Sequence, residues 1–190
     1  GSLAPVITYQ RAYDRLEVVN RGVNMIVDAA SQINVDVGDK EAFPGVATIR
    51  HKKLVSLLNR NPNAYQTADA FRRNIFLDML MDGNAFIYFD GASLYHLPAE
   101  NVTIHPDKKT FIKGYDYNGT KYKPDEIIHI QDNAAESIYR GKSRLKSATD
   151  SINLLYNMKA FQANFFKNGA VPGLVLKTPN TLSAKVKDRL

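Results

Sequence analysis

The chain has no cysteine and no tryptophan among its 190 residues. Without thiols there is no disulfide scaffold, no thiolate zinc site and no cysteine nucleophile, and nothing calls for an oxidising compartment. Histidine is scarce, and His51, His96, His105 and His129 fall on different predicted elements, without the short spacing of metal-ligand pairs. Gly83, Gly91, Gly114, Gly119 and Gly141 stand singly at turns, so no phosphate-cradling loop is present. No apolar run is long enough to span a bilayer. No serine sits in a nucleophile-elbow pattern. Carboxylates such as Asp14, Glu17, Asp69, Asp78, Asp82, Asp125 and Glu126 are numerous, yet nothing sets two apart as an acid and base pair. No catalytic site, cofactor or metal is expected.

What is present is a long interval without helix breakers. Ser143 is a good N-cap, and no glycine or proline follows until Asn168-Gly169, a pair suited to a left-handed helix end. The spacing predicts one continuous helix of about 25 residues, Ser143 to Lys167, roughly 40 Å long. Leu145, Ala148, Ile152 and Leu155 make one apolar stripe. Leu154, Met158, Phe161 and Phe165 make a second, displaced around the axis, so the helix is expected to change packing partner midway. Lys146, Asp150, Asn153, Asn157 and Asn164 form a polar strip directed to water or a polar partner.

The net charge of +6 is unevenly placed: from Arg140 onward ten basic residues face two acids, whereas the preceding 139 residues carry a net −2. Such a bias fits contact with nucleic acid or an acidic surface, and equally a solvated basic face.

Along the chain, apolar residues at three- and four-residue steps predict a helix from about Tyr9 to Ile33, then a short strand, Ile33 to Val37, and a loop from Asp39 to Gly45. His51 to Leu58 reads as a brief helix closed by Asn61-Pro62-Asn63. Thr67 caps a helix from Ala68 to Met81, with Phe71, Ile75, Phe76, Met79 and Leu80 on its buried side. Asp82-Gly83-Asn84 stops it, with Gly83 at positive φ. Strands follow at Ala85 to Phe89, Ser93 to Leu97, Val102 to His105, Phe111 to Tyr117, Lys121 to Lys123 and Glu126 to Ile130, and Asn118-Gly119 signals a hairpin. Tyr88, Tyr95, Tyr115, Tyr117 and Tyr122, with Phe86, Phe89 and Phe111, either pack the sheet and an interface or offer a stacking platform. The fold class is α+β: helices flanking a small antiparallel sheet, followed by one long helix.

The order of these motifs resembles the portal proteins of tailed bacteriophages, in the siphophage-type branch. The resemblance runs from about residue 15 to residue 190. It is carried by Val18 to Ala30, His51 to Leu58 with Asn61-Pro62-Asn63, Phe71 to Ile87, Leu94 to Pro98, Tyr122 to His129, Gly141 to Leu145, and Phe165 to Gly173. It implies a structural protein without catalytic site or cofactor, forming a ring of usually twelve subunits at one capsid vertex. Double-stranded DNA would be packaged through that ring by the terminase and ejected through it. Capsid and head-completion proteins would be further partners, no membrane is involved, and the location would be the virion, with host cytoplasm during assembly.

By the same analogy residues 1–140 are a wing-like domain, 141–170 a stem-like helix and 171–190 the start of a clip-like region. Channel or partner contacts are then expected at Lys142, Arg144, Lys146, Asp150, Asn153, Asn157, Asn164 and Lys167, with structural turns at Gly83, Asn84, Asn168 and Gly169. Gly1-Ser2 looks like a cloning scar, and a helix-like run, Leu182 to Leu190, meets the end of the chain, so a fragment is expected. The alternative function is a sequence-independent nucleic-acid-binding module using the basic segment after Arg140; a hydrolase is a weaker one.

Overall fold

The computed structural model describes residues 6–35, 52–132, 137–167 and residue 169. The helices are α1 (Tyr9–Arg15), α2 (Glu17–Ser31), α3 (Lys52–Asn59), α4 (Ala68–Met81) and α5 (Thr149–Lys167). The strands are β1 (Asn84–Phe89), β2 (Leu94–Leu97), β3 (Val102–Asp107), β4 (Phe111–Tyr117), β5 (Thr120–Tyr122) and β6 (Ile127–Gln131). Short 3-10 turns occupy Ala99–Asn101 and Arg144–Ala148. The mixed α+β class holds, but the strands divide into two antiparallel sheets instead of one, ordered β2-β1-β6 and β3-β4-β5.

The central strand β1 explains the division. Phe86 joins Leu97, Ala99, Val102, Tyr115 and Ile127 in a cluster drawn from both sheets. Ala85 and Ile87, on the opposite face, pack with Leu94 against Phe71 and Ile75 of α4. A strand covered on both faces reads as an unbroken apolar run, as residues 85–89 do. The second sheet is closed by the Asn118-Gly119 turn, where φ is 50° and 85°, the pair of left-handed residues that a tight hairpin requires.

The first predicted helix is two helices. Leu16 takes extended angles (φ −111°, ψ 106°) between α1 and α2. It is 1% exposed and sits with Ile7, Ala12 and Ile152, so α1 packs on α5, whereas α2 packs on α4. Asn20 Nδ2 donates to the Tyr13 carbonyl at 3.2 Å, satisfying a group that the interruption frees.

The short strand expected after Ile33 is not formed over residues 33–35, and Asp36 and Val37 lie outside the described residues, as does the predicted loop at 39–45. Here the Asn59 side chain does what a neighbouring strand would do: it accepts from Val35 N (2.9 Å) and donates to Val35 O (2.7 Å).

Helix α4 matches its predicted bounds, capped by the Thr67 hydroxyl, which accepts from Ala70 N. Its buried residues are Ala68, Phe71, Arg72 and Ile75, while Phe76, Met79 and Leu80 are half-buried. Arg72 is buried because its guanidinium finds backbone acceptors, Nε donating to Ser31 O (2.7 Å) and an Nη to Leu58 O (2.9 Å).

Candidate functional site

The predicted long helix starts six residues later than expected. Ser143 caps a 3-10 turn, accepting from Leu145 N, and the α-helix proper begins at Thr149. The cause is a tether: the Ser143 hydroxyl also donates to Leu80 O at the end of α4 (2.8 Å), holding the chain in a tight turn before it can run free. From Thr149 the helix passes unbroken through Asn157 to Lys167, and at 19 residues it is the longest described element. That is about 29 Å instead of 40 Å.

The two stripes have different fates. Ile152 is buried on Ile7, Ala12 and Leu16, with Ala148, Leu155 and Tyr156 beside it. Leu154 (62% exposed), Met158 (51%), Phe161 (70%) and Phe165 (38%) stand open, with Phe166. Every residue from Met158 to Lys167 is exposed. The helix is thus anchored at its first half on α1 and free over its second. Phe161, Phe165 and Phe166 touch one another, with centroids 6.2 and 5.8 Å apart. Beside the anchored half, Val18, Met25, Leu155 and Lys159 border a groove of about 820 Å3 between α2 and α5.

The predicted contact residues do not form one face. Lys142, Arg144 and Lys146 precede α5, Lys142 in the irregular segment and the other two in the 3-10 turn. Arg144 pairs with Asp132 (2.5 Å). Asn153 and Asn157 are half-buried: Asn153 Oδ1 accepts from Ile7 N (3.1 Å), and Asn157 Nδ2 donates to Asn153 O (2.9 Å). This polar strip is therefore partly spent on fixing the N-terminal segment. Asp150, Asn164 and Lys167 are exposed. Asn168 lies outside the described residues, and Gly169 takes φ 72°.

Gly83 has φ 86°, as expected of a helix-ending glycine, and the chain crosses itself there. A Cβ at Gly83 would overlap the backbone of Lys142, and one at Gly141 would overlap Gly83 O and the Asp132 backbone. Between them lies Asn84, 0% exposed. Its Oδ1 accepts from Gly141 N (2.7 Å) and faces His129 Nε2 (3.0 Å), and its Nδ2 donates to Asp82 Oδ1 (2.6 Å) and Gly141 O (3.4 Å). Arg140 spans the two sheets, donating to Asp82 Oδ1 (2.8 Å), Val102 O (3.1 Å) and Ala99 O (3.3 Å). His129 stacks on Phe86 at 4.4 Å. The sequence marks Asn84 as a turn residue and Arg140 as one of a run of basic residues, and it offers His129 no metal-ligand spacing; none of this signals the crossing itself. Their partners lie tens of residues away, and the one local signal was the Asp82-Gly83-Asn84 turn.

Among the described residues no group of three or more potential metal-ligating side chains occurs, and no helix is long and apolar enough to cross a membrane. The pattern is an exposed apolar stripe on a helix whose first half is fixed to α1.

Comparison with known proteins agrees with this arrangement. The portal protein of Escherichia phage T5 is 38% identical over 188 residues, covering 96% of this chain and 47% of that protein. A chain in the neck of a native GTA particle, computed with C12 symmetry, superposes with TM-score 0.70 at 18% identity, covering 99% of this chain and 55% of that one. An HK97 family phage portal protein from Corynebacterium diphtheriae gives TM-score 0.60 at 19% identity, covering 97% and 58%. The chain spans about half the length of these relatives. The family described as "Phage portal protein" matches residues 17–190. The chain belongs to the phage portal protein family.

Proposed function

We propose that this chain supplies the wing and the first stem helix of a portal ring of twelve subunits, set in the virion at one capsid vertex. Residues 1–140 are the wing, 141–170 the stem and 171–190 the beginning of the clip. Double-stranded DNA is packaged through the ring by the terminase and later ejected through it, with capsid and head-completion proteins as neighbours. The role is structural, not catalytic. The observation that carries this reading is α5: a helix rooted on α1 that leaves Leu154 and, over its second half, Met158, Phe161 and Phe166 to solvent, as an assembly element does. The family membership and the C12 neck neighbour support it.

Of the residues assigned to channel or partner contacts, Lys146, Asp150, Asn164 and Lys167 have the exposure the role needs. Asn153 ties the helix to Ile7 N, and Asn157 bonds back within the helix to Asn153 O. The nucleic-acid-module alternative has less support, because Arg140 and Arg144 are engaged by Asp82 and Asp132. Electron microscopy of the protein at the full length of its gene tests the reading. Closed rings with a central hole support it, whereas monomers or open filaments overturn it.

A further inference from the structure

The crossing of residues 82–84 with 140–143 holds one titratable ring in an unusual position. Asn84 Oδ1 accepts from Gly141 N, while its amide nitrogen donates to Asp82 Oδ1 and Gly141 O, so the amide cannot be turned over. His129 must therefore donate its Nε2 hydrogen to that same oxygen, which leaves Nδ1 bare in the neutral ring. The groups facing the ring are Asn84 and Phe86 of β1, Tyr115 of β4, Arg140 of the crossing segment and Asp82 of the turn. Arg140 already lies over the Phe86 ring, 5.9 Å from its centroid, so a protonated His129 would put a second cation on the same ring.

We propose that His129 and Asn84 form an acid-released latch, which fastens the Arg140–Ser143 segment, and so the root of α5, to the end of β1. The segment is held by Gly141 to Asn84, by Arg140 to Asp82, Val102 O and Ala99 O, and by Ser143 to Leu80, and beside it Asp132 N donates to Gly83 O (2.8 Å). Charging His129 is opposed first by its burial and then by Arg140, with Asp82 opposing less strongly in the other direction; its pKa is accordingly pushed down to about 4. A base whose folded pKa lies below its ordinary 6.5 takes up its proton more readily once released. The latch is therefore at full strength above about pH 6.5 and weakens as pH falls towards 4. The ring stacks on Phe86 and meets Tyr115, whereas Ile75 of α4 packs on the other face of β1, so opening at the crossing precedes loss of that second face.

Amide hydrogen exchange of the chain at pH 7.5 and 4.5, corrected for intrinsic rates, tests it. The opening equilibrium at the Gly141 and Asp132 amides is expected to rise between about tenfold and a hundredfold, with the Ile75 amide in α4 unchanged. His129→Gln keeps a donor for Asn84 Oδ1 but cannot titrate, and should abolish the pH dependence. Protection at Gly141 that ignores pH, or a loss shared equally by Ile75, overturns the latch. If the variant does not fold, the His129 resonance of the native chain decides: a midpoint near 4 supports the latch, and one near 6.5 overturns it.

Discussion

Asn84 and Gly141, 57 residues apart, are joined by two hydrogen bonds, Gly141 N to Asn84 Oδ1 at 2.7 Å and Asn84 Nδ2 to Gly141 O at 3.4 Å. The amide is fully buried, so Asn84→Ala strands the Gly141 N–H and the His129 donor together. A loss of about 3 kcal/mol is expected, at 1–3 kcal/mol for each orphaned group. Asn84→Asp should also destabilise, because it sets a carboxylate against Asp82 and Gly141 O. Urea denaturation measures both, and an unchanged midpoint for either would remove the crossing from the stability of the fold.

Gly83 and Gly91 separate two costs that are usually confounded. Both have positive φ, 86° and 92°, but a Cβ at Gly91 meets open space whereas one at Gly83 overlaps the Lys142 backbone. Gly91→Ala should cost about 1 kcal/mol from backbone conformation alone. Gly83→Ala should cost about 3 kcal/mol or more, since the crossing strand must shift. Equal melting points for the two variants would contradict the close approach.

Phe111 offers the opposite sign. It holds φ 65° as a non-glycine residue and is 63% exposed, so its ring repays little of the strain. Phe111→Gly is expected to raise stability by about 0.5–1 kcal/mol, read as a higher denaturation midpoint.

The open stripe of α5 governs association. The chain is expected to be mainly monomeric at micromolar concentration, with light scattering after size exclusion giving a mass near 21.3 kDa. At high concentration it should self-associate through Leu154, Met158, Phe161 and Phe166, which are 51–72% exposed, and Met158→Lys with Phe161→Lys should suppress this. A dodecamer-sized peak from this chain would show that α5 and the residues before it suffice for closure.

Duplex DNA should bind weakly at about 150 mM salt, with Kd above roughly 10 μM by fluorescence anisotropy. Within α5 after Asp150 the basic residues are only Lys159 and Lys167, and Arg144 is already paired. A ring would multiply such weak contacts around one axis. Sub-micromolar affinity of the lone chain would instead favour the nucleic-acid module.

What could be read from the sequence was what neighbours in sequence decide. Helix α4 was legible to the residue because Thr67 and Gly83 bracket it, and the hairpin at Asn118-Gly119 because two left-handed residues have few other uses. The interruption at Leu16 was not, since no glycine or proline marks it and its cause is Ile152. The burial of Arg72 has no local signal for the same reason: its acceptors at Ser31 and Leu58 lie on other elements. The contact residues were legible as types only. Their scattering over a 3-10 turn and the two sides of α5 follows from the Ser143 tether to Leu80, a contact across 63 residues.

The separation of α1 from α2 has a consequence for synthesis. Helix α1 is seven residues long, too short to persist alone, and its seat is the first half of α5. The bonds from Ile7 to Asn153 and from Tyr9 to Thr149 span 146 and 140 residues. While the chain emerges from the ribosome, α2, α4 and both sheets can settle, but α1 has only its contacts with α2 until its seat on α5 has been translated. Docking of α1 on α5 is thus a late step, and it closes the loop that fixes where the second half of α5 points.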